Sequence, residues 1–439
     1  MEKIYIGILG YNSNTEGLLS ILKDNENVIK NKTGYEILIK KIFINDLECN
    51  INSLSSLYNN NNIVVSNDPF NIVNDKDIKI IVETLDNVKL SKDLIIKIIE
   101  SNKTPIISNK ALLSKYGKDI FSKAFEYGIN IGFESCVGGG IPIIDVVKED
   151  LIGNNIKEIY AILSGTSNYI LTKLENDEND LNNLIEEVKS LGYSEYDPNI
   201  DINGLDSAYK IAILSMIAFK KIIPFEKIYI RGIKDIDKLD IDFAEQLGCK
   251  IKLLSIAKNI DGKLDIRVEP TMLPKKYMLA KVRDEFNAIY IKSDMVGNTI
   301  HYGRGAGGKA IGSALCSDVV SAMRDLKHCN KMRTPPLGYF GDYNNEANIV
   351  DHLEIVSPFY LRFIVIDKPG VLATIAGVLG KNNISISAAI QPEVVKESSL
   401  IPLVFLTHVT KALNIKMAVE EINSLDIVHK KAVVVRVEK

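Results

Sequence analysis

The chain has 439 residues, enough for about three domains at roughly 150 residues each. Lys plus Arg number 53 and Asp plus Glu 56, a formal net charge of −3; that balance excludes a protein built to grip nucleic acid or to sit on a membrane through a basic cluster. No apolar run approaches the ~20 residues that span a bilayer, and the N-terminal stretch Ile4–Leu9 is too short for a signal-peptide core, which points to a cytoplasmic protein.

The first third alternates strand and helix signals. Ile4–Leu9 reads as a strand and Thr15–Lys23 as a helix. Glu36–Asn45 is a second strand, and short apolar strands follow at Ile63–Val65, Ile78–Val82 and Thr104–Ile107. Helices fall at Ser91–Ser101 and Ala111–Gly128. Near-continuous apolar strands alternating with helices imply a parallel sheet covered on both faces. The fold class is therefore α/β, with a Rossmann-like, doubly wound nucleotide-binding domain over residues 1–133.

From Glu134 the helices lengthen, notably Leu181–Leu191 and Gly204–Phe219, with strands such as Ile156–Leu163 and Leu264–Val268 between them. Residues 134–329 read as an α+β substrate and dimerisation domain, its last helix packing back on the first domain. Residues 330–356 hold Pro335, Pro336, Gly338 and Gly341 without a clear period, and read as a linker. Residues 357–439 run β-α-β-β-α-β, the ferredoxin-like order. This tail contains no acid/base cluster, so it reads as regulatory or assembly-forming and as separable near Asn330.

The five cysteines (Cys49, Cys136, Cys249, Cys316, Cys329) are odd in number and widely spaced, which favours reduced core thiols over disulfides or a thiolate metal site. The five histidines form no i,i+4 pair for zinc.

Gly10-Tyr11-Asn12-Ser13-Asn14-Thr15-Glu16-Gly17 follows the first strand and opens a helix, where a dinucleotide fingerprint belongs. Only Gly10 fits the Gly-x-Gly-x-x-Gly pattern cleanly. Asn12 tolerates a left-handed turn, whereas Thr15 should push the helix off the strand; an ordinary strand-helix turn is the alternative. The second constellation is Glu195, Asp197, Asp201, Asp206 and Lys210. Asp206 and Lys210 are i,i+4 on one helix face. A solvated acidic loop with a helix salt bridge is the plain reading, but the helix beyond is strongly apolar (Ile211, Ala212, Ile213, Leu214, Met216). A lysine drawn inside by such a helix is a candidate acid or base.

These passages resemble the homoserine dehydrogenase family. Further matches run in the family's order: Ser108-Asn109-Lys110-Ala111-Leu112-Leu113, Glu134-Ser135-Cys136-Val137-Gly138-Gly139-Gly140-Ile141-Pro142, Gly165-Thr166-Ser167-Asn168, Pro270-Thr271-Met272-Leu273-Pro274 and Tyr302-Gly303-Arg304-Gly305-Ala306-Gly307. The tail, with Asp367-Lys368-Pro369-Gly370, resembles an ACT domain. The resemblance implies NAD- or NADP-dependent interconversion of L-homoserine and L-aspartate 4-semialdehyde. It casts Lys210 as proton donor and acceptor with Asp206 holding it, Glu195 and Asp201 as partners of the substrate's ammonium and hydroxyl, and Lys110 between nicotinamide and substrate. Gly10, Asn12, Ser13, Asn14, Ser108, Lys110 and Gly307 would hold the cofactor. Glu134 and the carbonyls of Val137, Gly139 and Ile141 would hold a sodium ion. An amino-acid effector at the ACT domain and a homodimer or homotetramer are also implied. Ser164 and Arg304 stand where the family has Asn and Pro. The alternative is a catalytically weak homologue acting as an amino-acid sensor. NAD is favoured over NADP because no Lys or Arg lies between Lys41 and Lys76, and Asp46 and Glu48 would repel a 2′-phosphate.

Overall fold

A computed structural model of the chain describes residues 2–44, 63–176, 181–191, 198–327, 332–391 and 400–438. Strand β1 (Glu2–Leu9), helix α1 (Ser13–Asp24) and strands β2 (Tyr35–Phe43), β3 (Val64–Ser66) and β4 (Ile78–Glu83) open the chain, followed by α2 (Val88–Glu100), β5 (Thr104–Ile107) and α3 (Lys110–Tyr127). The five strands form one parallel sheet in the order β3-β2-β1-β4-β5. Ile81, Leu94, Ile98, Leu112 and Ile120 seal one face beneath α2 and α3. On the other face Ile6 and Ile8 meet Leu18 and Leu22 of α1. The doubly wound reading holds.

The second face is finished from far along the chain. After β6 (Ile156–Ile162), α4 (Gly165–Asn176), α5 (Leu205–Phe219), β7 (Cys249–Ile260), β8 (Lys263–Pro274), β9 (Phe286–Ser293) and β10 (Asn298–Arg304), helix α6 (Gly308–Lys327) returns to the first sheet. Its Ile311, Leu315, Val319 and Met323 pack beside Ile6 and Ile8. Glycine makes the approach possible: a Cβ on Gly17 would stand 1.8 Å from the Gly308 carbonyl oxygen, and one on Gly312 would stand 2.3 Å from the Gly17 carbonyl carbon.

The C-terminal module follows the expected order: β11 (Phe359–Ile366), α7 (Val371–Lys381), β12 (Ile386–Ile390), β13 (Leu400–Thr407), α8 (Ala412–Asn423) and β14 (Val428–Val437). It is not a separate body. Strand β14 pairs in parallel with β8, Arg436 against Thr271 and Val437 against Met272. One ten-stranded sheet thus runs β10-β9-β6-β7-β8-β14-β11-β13-β12, with Tyr229–Ile230 pairing on β8. Buried charges reinforce the join. Arg267, 1% exposed, pairs with Asp265, with Glu269 (2.8 Å) and with Glu438. Arg436 takes Glu269 at 2.7 Å, and Arg362 takes Asp240 at 2.6 Å.

The linker reading is corrected in the same place. Residues 332–356 form a docked strap: Ile222 N–H donates to Asn345 O (2.9 Å), Ala347 N–H to Ile222 O (2.8 Å) and Leu264 N–H to Asn348 O (2.8 Å). Leu337, Tyr343 and Ala347 are buried in the main core. The Pro and Gly residues suggested a free tether because they break helical and strand periods; they do not prevent irregular backbone from being pinned by hydrogen bonds. No helix among the described residues is long and apolar enough to cross a membrane.

A chain ending near Asn330 is therefore expected to lose its fold, because it strips β8 of its neighbour and leaves Arg267 buried without Glu438. The point variant Arg267→Ala should cost about 3–5 kcal/mol, the usual cost of breaking a buried ion pair from one side. Urea unfolding with the same midpoint as wild type, or a soluble truncated chain with native circular dichroism, would contradict this.

Candidate active site

Helix α5 opens at Gly204, whose φ of +83° suits glycine, and runs through the core with Ile211, Ala212, Ile213 and Leu214 fully buried. Polar side chains in its first turns cannot reach bulk water, so they find one another. Lys210 Nζ stands 2.6 Å from Asp206 Oδ2 and donates to the Leu163 carbonyl at 2.7 Å, just beyond β6. Lys110, the first residue of α3, places its Nζ 2.9 Å from Asp206 Oδ1. One carboxylate therefore bridges two ammonium groups that come from different domains. Burial alone would raise the Asp206 carboxyl; Lys110 and Lys210 outweigh it and hold it at about 2. An ammonium has three N–H bonds. With one on Asp206 and one on Leu163, Lys210 has a third to offer an oxygen in the adjoining cavity.

That cavity is about 290 Å³ and lies between the first sheet and α5. Asn14, Ser108, Lys110, Asp201, Asp206 and Lys210, all read from the sequence as site residues, line it together. Asp201 accepts from Thr166 Oγ1 (3.1 Å) and Ser164 Oγ (3.3 Å), so the serine at position 164 performs a positioning task with its hydroxyl. Thr84, Lys115 and Tyr209 also line the cavity and were not singled out from the sequence. Thr84 was findable, since it follows a parallel strand at its C-terminal end, where such sheets bind ligands. Tyr209 carries no local signal; its ring stacks on Phe225 at 4.9 Å, with Lys115 Nζ 5.4 Å from its centre. Glu195 and Asp197 lie outside the described residues, as do Asp46 and Glu48.

The glycine-poor turn after β1 is built differently from the expectation. Gly10 does take φ +106°, and a Cβ there would fall 2.8 Å from Thr84 Oγ1. Asn12 is extended, not left-handed, at φ −152°. It caps α1: its Oδ1 accepts from the N–H of Asn14 (3.1 Å) and Thr15 (3.3 Å), and its Nδ2 donates to Thr84 O (2.7 Å). Nor does Thr15 push the helix away. Its hydroxyl donates to Gly10 O at 3.1 Å and lies 2.8 Å from Thr84 Oγ1, so the extra atoms are absorbed by hydrogen bonds inside the turn. Gly308, next to Gly307 (φ +104°), abuts the Ser13 carbonyl, so the N-termini of α1 and α6 converge. Two converging N-termini favour an anion. Asn14 is buried with an Oδ1 that has no partner among the described residues. The pair of features fits a dinucleotide with a pyrophosphate and a polar head.

The Glu134–Ile141 turn packs on the loop before α6. Gly139 (φ +60°) approaches the Gly305 carbonyl so closely that a Cβ would stand 2.3 Å from it, and Gly140 N–H donates to Arg304 O at 3.0 Å. The glycine run is thus required by that contact. The Glu134 carboxylate caps the next turn, accepting from the N–H groups of Ile143 (2.6 Å), Ile144 (2.8 Å) and Asp145 (2.9 Å). Burial pushes its carboxyl up to about 7, against those N–H groups. Among the described residues, the carbonyls of Val137, Gly139 and Ile141 accept no hydrogen bond from the protein.

Comparison with known proteins agrees with this geometry. Residues 142–320 match the family model for homoserine dehydrogenase, and residues 359–426 that for the ACT domain. The chain is 35% identical to homoserine dehydrogenase of Neisseria gonorrhoeae over 438 residues, covering 100% of this chain and 99% of that one. It is 30% identical to the Bacillus subtilis protein of the same name, again over 100% and 99% of the two chains. Among solved structures, a homoserine dehydrogenase from Thiobacillus denitrificans superposes with a TM-score of 0.90 at 34% identity, over 100% of this chain and 99% of that one. A hyperthermophilic archaeal homoserine dehydrogenase in complex with NADPH gives 0.62 at 26% identity, over 74% and 98%.

Because the folded carboxyl of Asp206 lies below its ordinary 3.8, its stabilising contribution is present above about pH 4 and is lost as pH falls toward 2. Asp206→Asn should be less stable than wild type at pH 7, and the gap should shrink by about 1–2 kcal/mol between pH 4 and pH 2. Urea midpoints measured across that range check it; a gap independent of pH would contradict the assignment.

Proposed function

The chain belongs to the homoserine dehydrogenase family, an oxidoreductase interconverting L-homoserine and L-aspartate 4-semialdehyde with NAD(P) in amino-acid biosynthesis, and we propose that Lys210 is its acid/base, held by Asp206. The observation that carries this is the shared carboxylate: Asp206 aims one ammonium from each domain at a single cavity. Bound nicotinamide supplies or accepts the hydride. Lys210 then gives a proton to the carbonyl oxygen on reduction and takes one from the hydroxyl on oxidation. Asp206 stays ionised throughout, so the ammonium keeps its orientation whichever way the proton moves. Lys110 opens α3, just past the end of β5, where it keeps positive charge against the developing oxyanion. Asp201 and Glu195 are read as partners of the substrate's hydroxyl and ammonium. Gly10, Asn12, Ser13, Asn14, Ser108, Lys110 and Gly307 are read as the cofactor's contacts, with the converging N-termini of α1 and α6 facing its pyrophosphate. The sensor alternative drew its support from the reduced glycine pattern, and Asn12 and Thr15 make that turn a hydrogen-bonded one.

Four further parts complete the reading. A sodium ion at the Glu134–Ile141 turn is supported by the unclaimed carbonyls of Val137, Gly139 and Ile141 beside the buried Glu134; a thermal midpoint indifferent to replacing Na⁺ with choline would remove it. An amino-acid effector at the ACT domain and assembly as a homodimer or homotetramer follow from the family. A cytoplasmic setting follows from the family, whose members are biosynthetic enzymes.

One spectrophotometric assay tests the main claim: reduced-nicotinamide absorbance with L-homoserine and either cofactor. Lys210→Ala should lower kcat by about 10²-fold or more with the Kd for nucleotide little changed; near wild-type turnover would remove Lys210 from the mechanism. NAD should be used at least as well as NADP. Lys40 is engaged by Asp75 (2.8 Å) and Asp77 (2.7 Å), and Lys41 by Asp75 (2.8 Å), so neither strand lysine is free to meet a 2′-phosphate. A kcat/KM favouring NADP by tenfold or more would overturn this preference.

A further inference from the structure

Glu83 is a buried carboxylate that stands apart from the Asp206 cluster. It closes β4 and is 0% exposed. Its Oε1 accepts from the Leu85 N–H at 2.8 Å and from the Ser91 hydroxyl, in the first turn of α2, at 2.7 Å. Its Oε2 has no partner among the described residues. Burial pushes its carboxyl up to about 7, with Asp86 adding to the rise, against the Ser91 hydroxyl and the N–H groups of Leu85 and Asn109. An anion held by neutral donors is costly, and an apolar side chain in the same place would avoid that cost. Residues that break the burial rule in this way concentrate at functional sites.

The groups around Glu83 belong to the two loops that line the catalytic cavity. Thr84, Leu85 and Asp86 face it from the end of β4, and Ser108, Asn109 and Lys110 from the end of β5. The loops are tied together beside Glu83. The Ser108 N–H donates to Glu83 O at 3.0 Å, and Asn109 Nδ2 donates to Leu85 O at 2.9 Å. Asn109 Oδ1 in turn accepts from the Leu112 N–H at 2.9 Å and so caps α3, whose first residue is Lys110. We propose that Glu83 is a positioning residue for the reaction: its carboxylate folds the Leu85 turn onto α2, and that turn, through Asn109, sets where the Lys110 ammonium meets Asp206. A misplacement of about 1 Å near a reacting centre costs up to about 10²-fold in rate. The route through Lys110 rests on the role proposed for that residue opposite the developing oxyanion.

Steady-state kinetics of the full-length protein, with a urea midpoint for each variant, test the proposal. Glu83→Leu keeps the bulk and removes the acceptor. Its kcat should fall about tenfold or more while KM for L-homoserine changes less than about threefold, because Asp201 stands on the other domain. Glu83→Gln keeps a carbonyl oxygen for Leu85 and Ser91 and should recover most of the loss. Lys103→Met is the stability control. Lys103 is also buried in this domain, at the opposite end of the same sheet, where its ammonium donates to Asp75 O. Its loss should lower the urea midpoint and leave kcat unchanged. If Glu83→Leu does not fold, Ser91→Ala opens the same clamp from α2 and should lower kcat about threefold. The proposal is overturned if a folded Glu83→Leu or Ser91→Ala turns over like wild type, if Glu83→Gln loses as much as Glu83→Leu, or if Lys103→Met loses kcat in the same proportion to its midpoint. Lys110→Met separates the route from its premise. Wild-type turnover there removes the role of Lys110 and the route with it, whereas a loss there with none in Glu83→Leu removes only the positioning by Glu83.

Discussion

A single buried carboxylate between two ammonium groups sets the terms for the rest of the molecule. Asp206 is carried on a helix that is otherwise apolar, and an isolated charge there would cost several kcal/mol. Lys210 cancels it from the same helix, one turn on. Lys110 brings a further positive charge from the nucleotide domain, and it can do so only when the C-terminal end of β5 faces the start of α5. The electrostatic requirement of one residue thus fixes the orientation of two domains. It also fixes where their cavity opens: at the strand ends of the parallel sheet, beside the Leu163 carbonyl that takes Lys210's other bond.

The C-terminal module is attached by similar physics. Two residue pairs of parallel sheet, Arg436 with Thr271 and Val437 with Met272, would be a weak joint by themselves. Arg267, Glu269, Glu438 and Arg436 convert it into a buried ion network in which each charge has an opposite neighbour. The join is also directional. Strand β8 contributes Glu269 to the seam, and its neighbour Val268 packs against the backbone at Gly204, where α5 begins.

Local features of this arrangement were legible in the sequence. The alternation of apolar strands and helices, the β-α-β-β-α-β tail and the Asp206–Lys210 spacing are all carried by short windows in which side-chain period or i,i+4 geometry dominates. What was not legible depends on partners distant in the chain. The strap over 332–356 looked like a tether because its order comes from Ile222 and Leu264, not from its own period. Thr15 looked like a defect because the fingerprint describes glycine's small volume; the hydroxyl of Thr84, which accommodates Thr15, comes from another strand. Lys110 could be placed at a strand end, but its partner could not be named. Glu195 belongs to the motif most clearly read from the sequence and lies outside the described residues.

The return of α6 has a consequence for how the protein is made. The β1 face bearing Ile6 and Ile8 emerges early in synthesis, and α1 covers only part of it. The covering residues Ile311, Leu315, Val319 and Met323 are translated after the whole substrate layer. At about 5–20 residues per second, that face waits many seconds on the ribosome with apolar surface open to water. The nucleotide domain is therefore first in the chain but cannot be first to finish. The Gly17–Gly308–Gly312 crossing is the contact that closes that face.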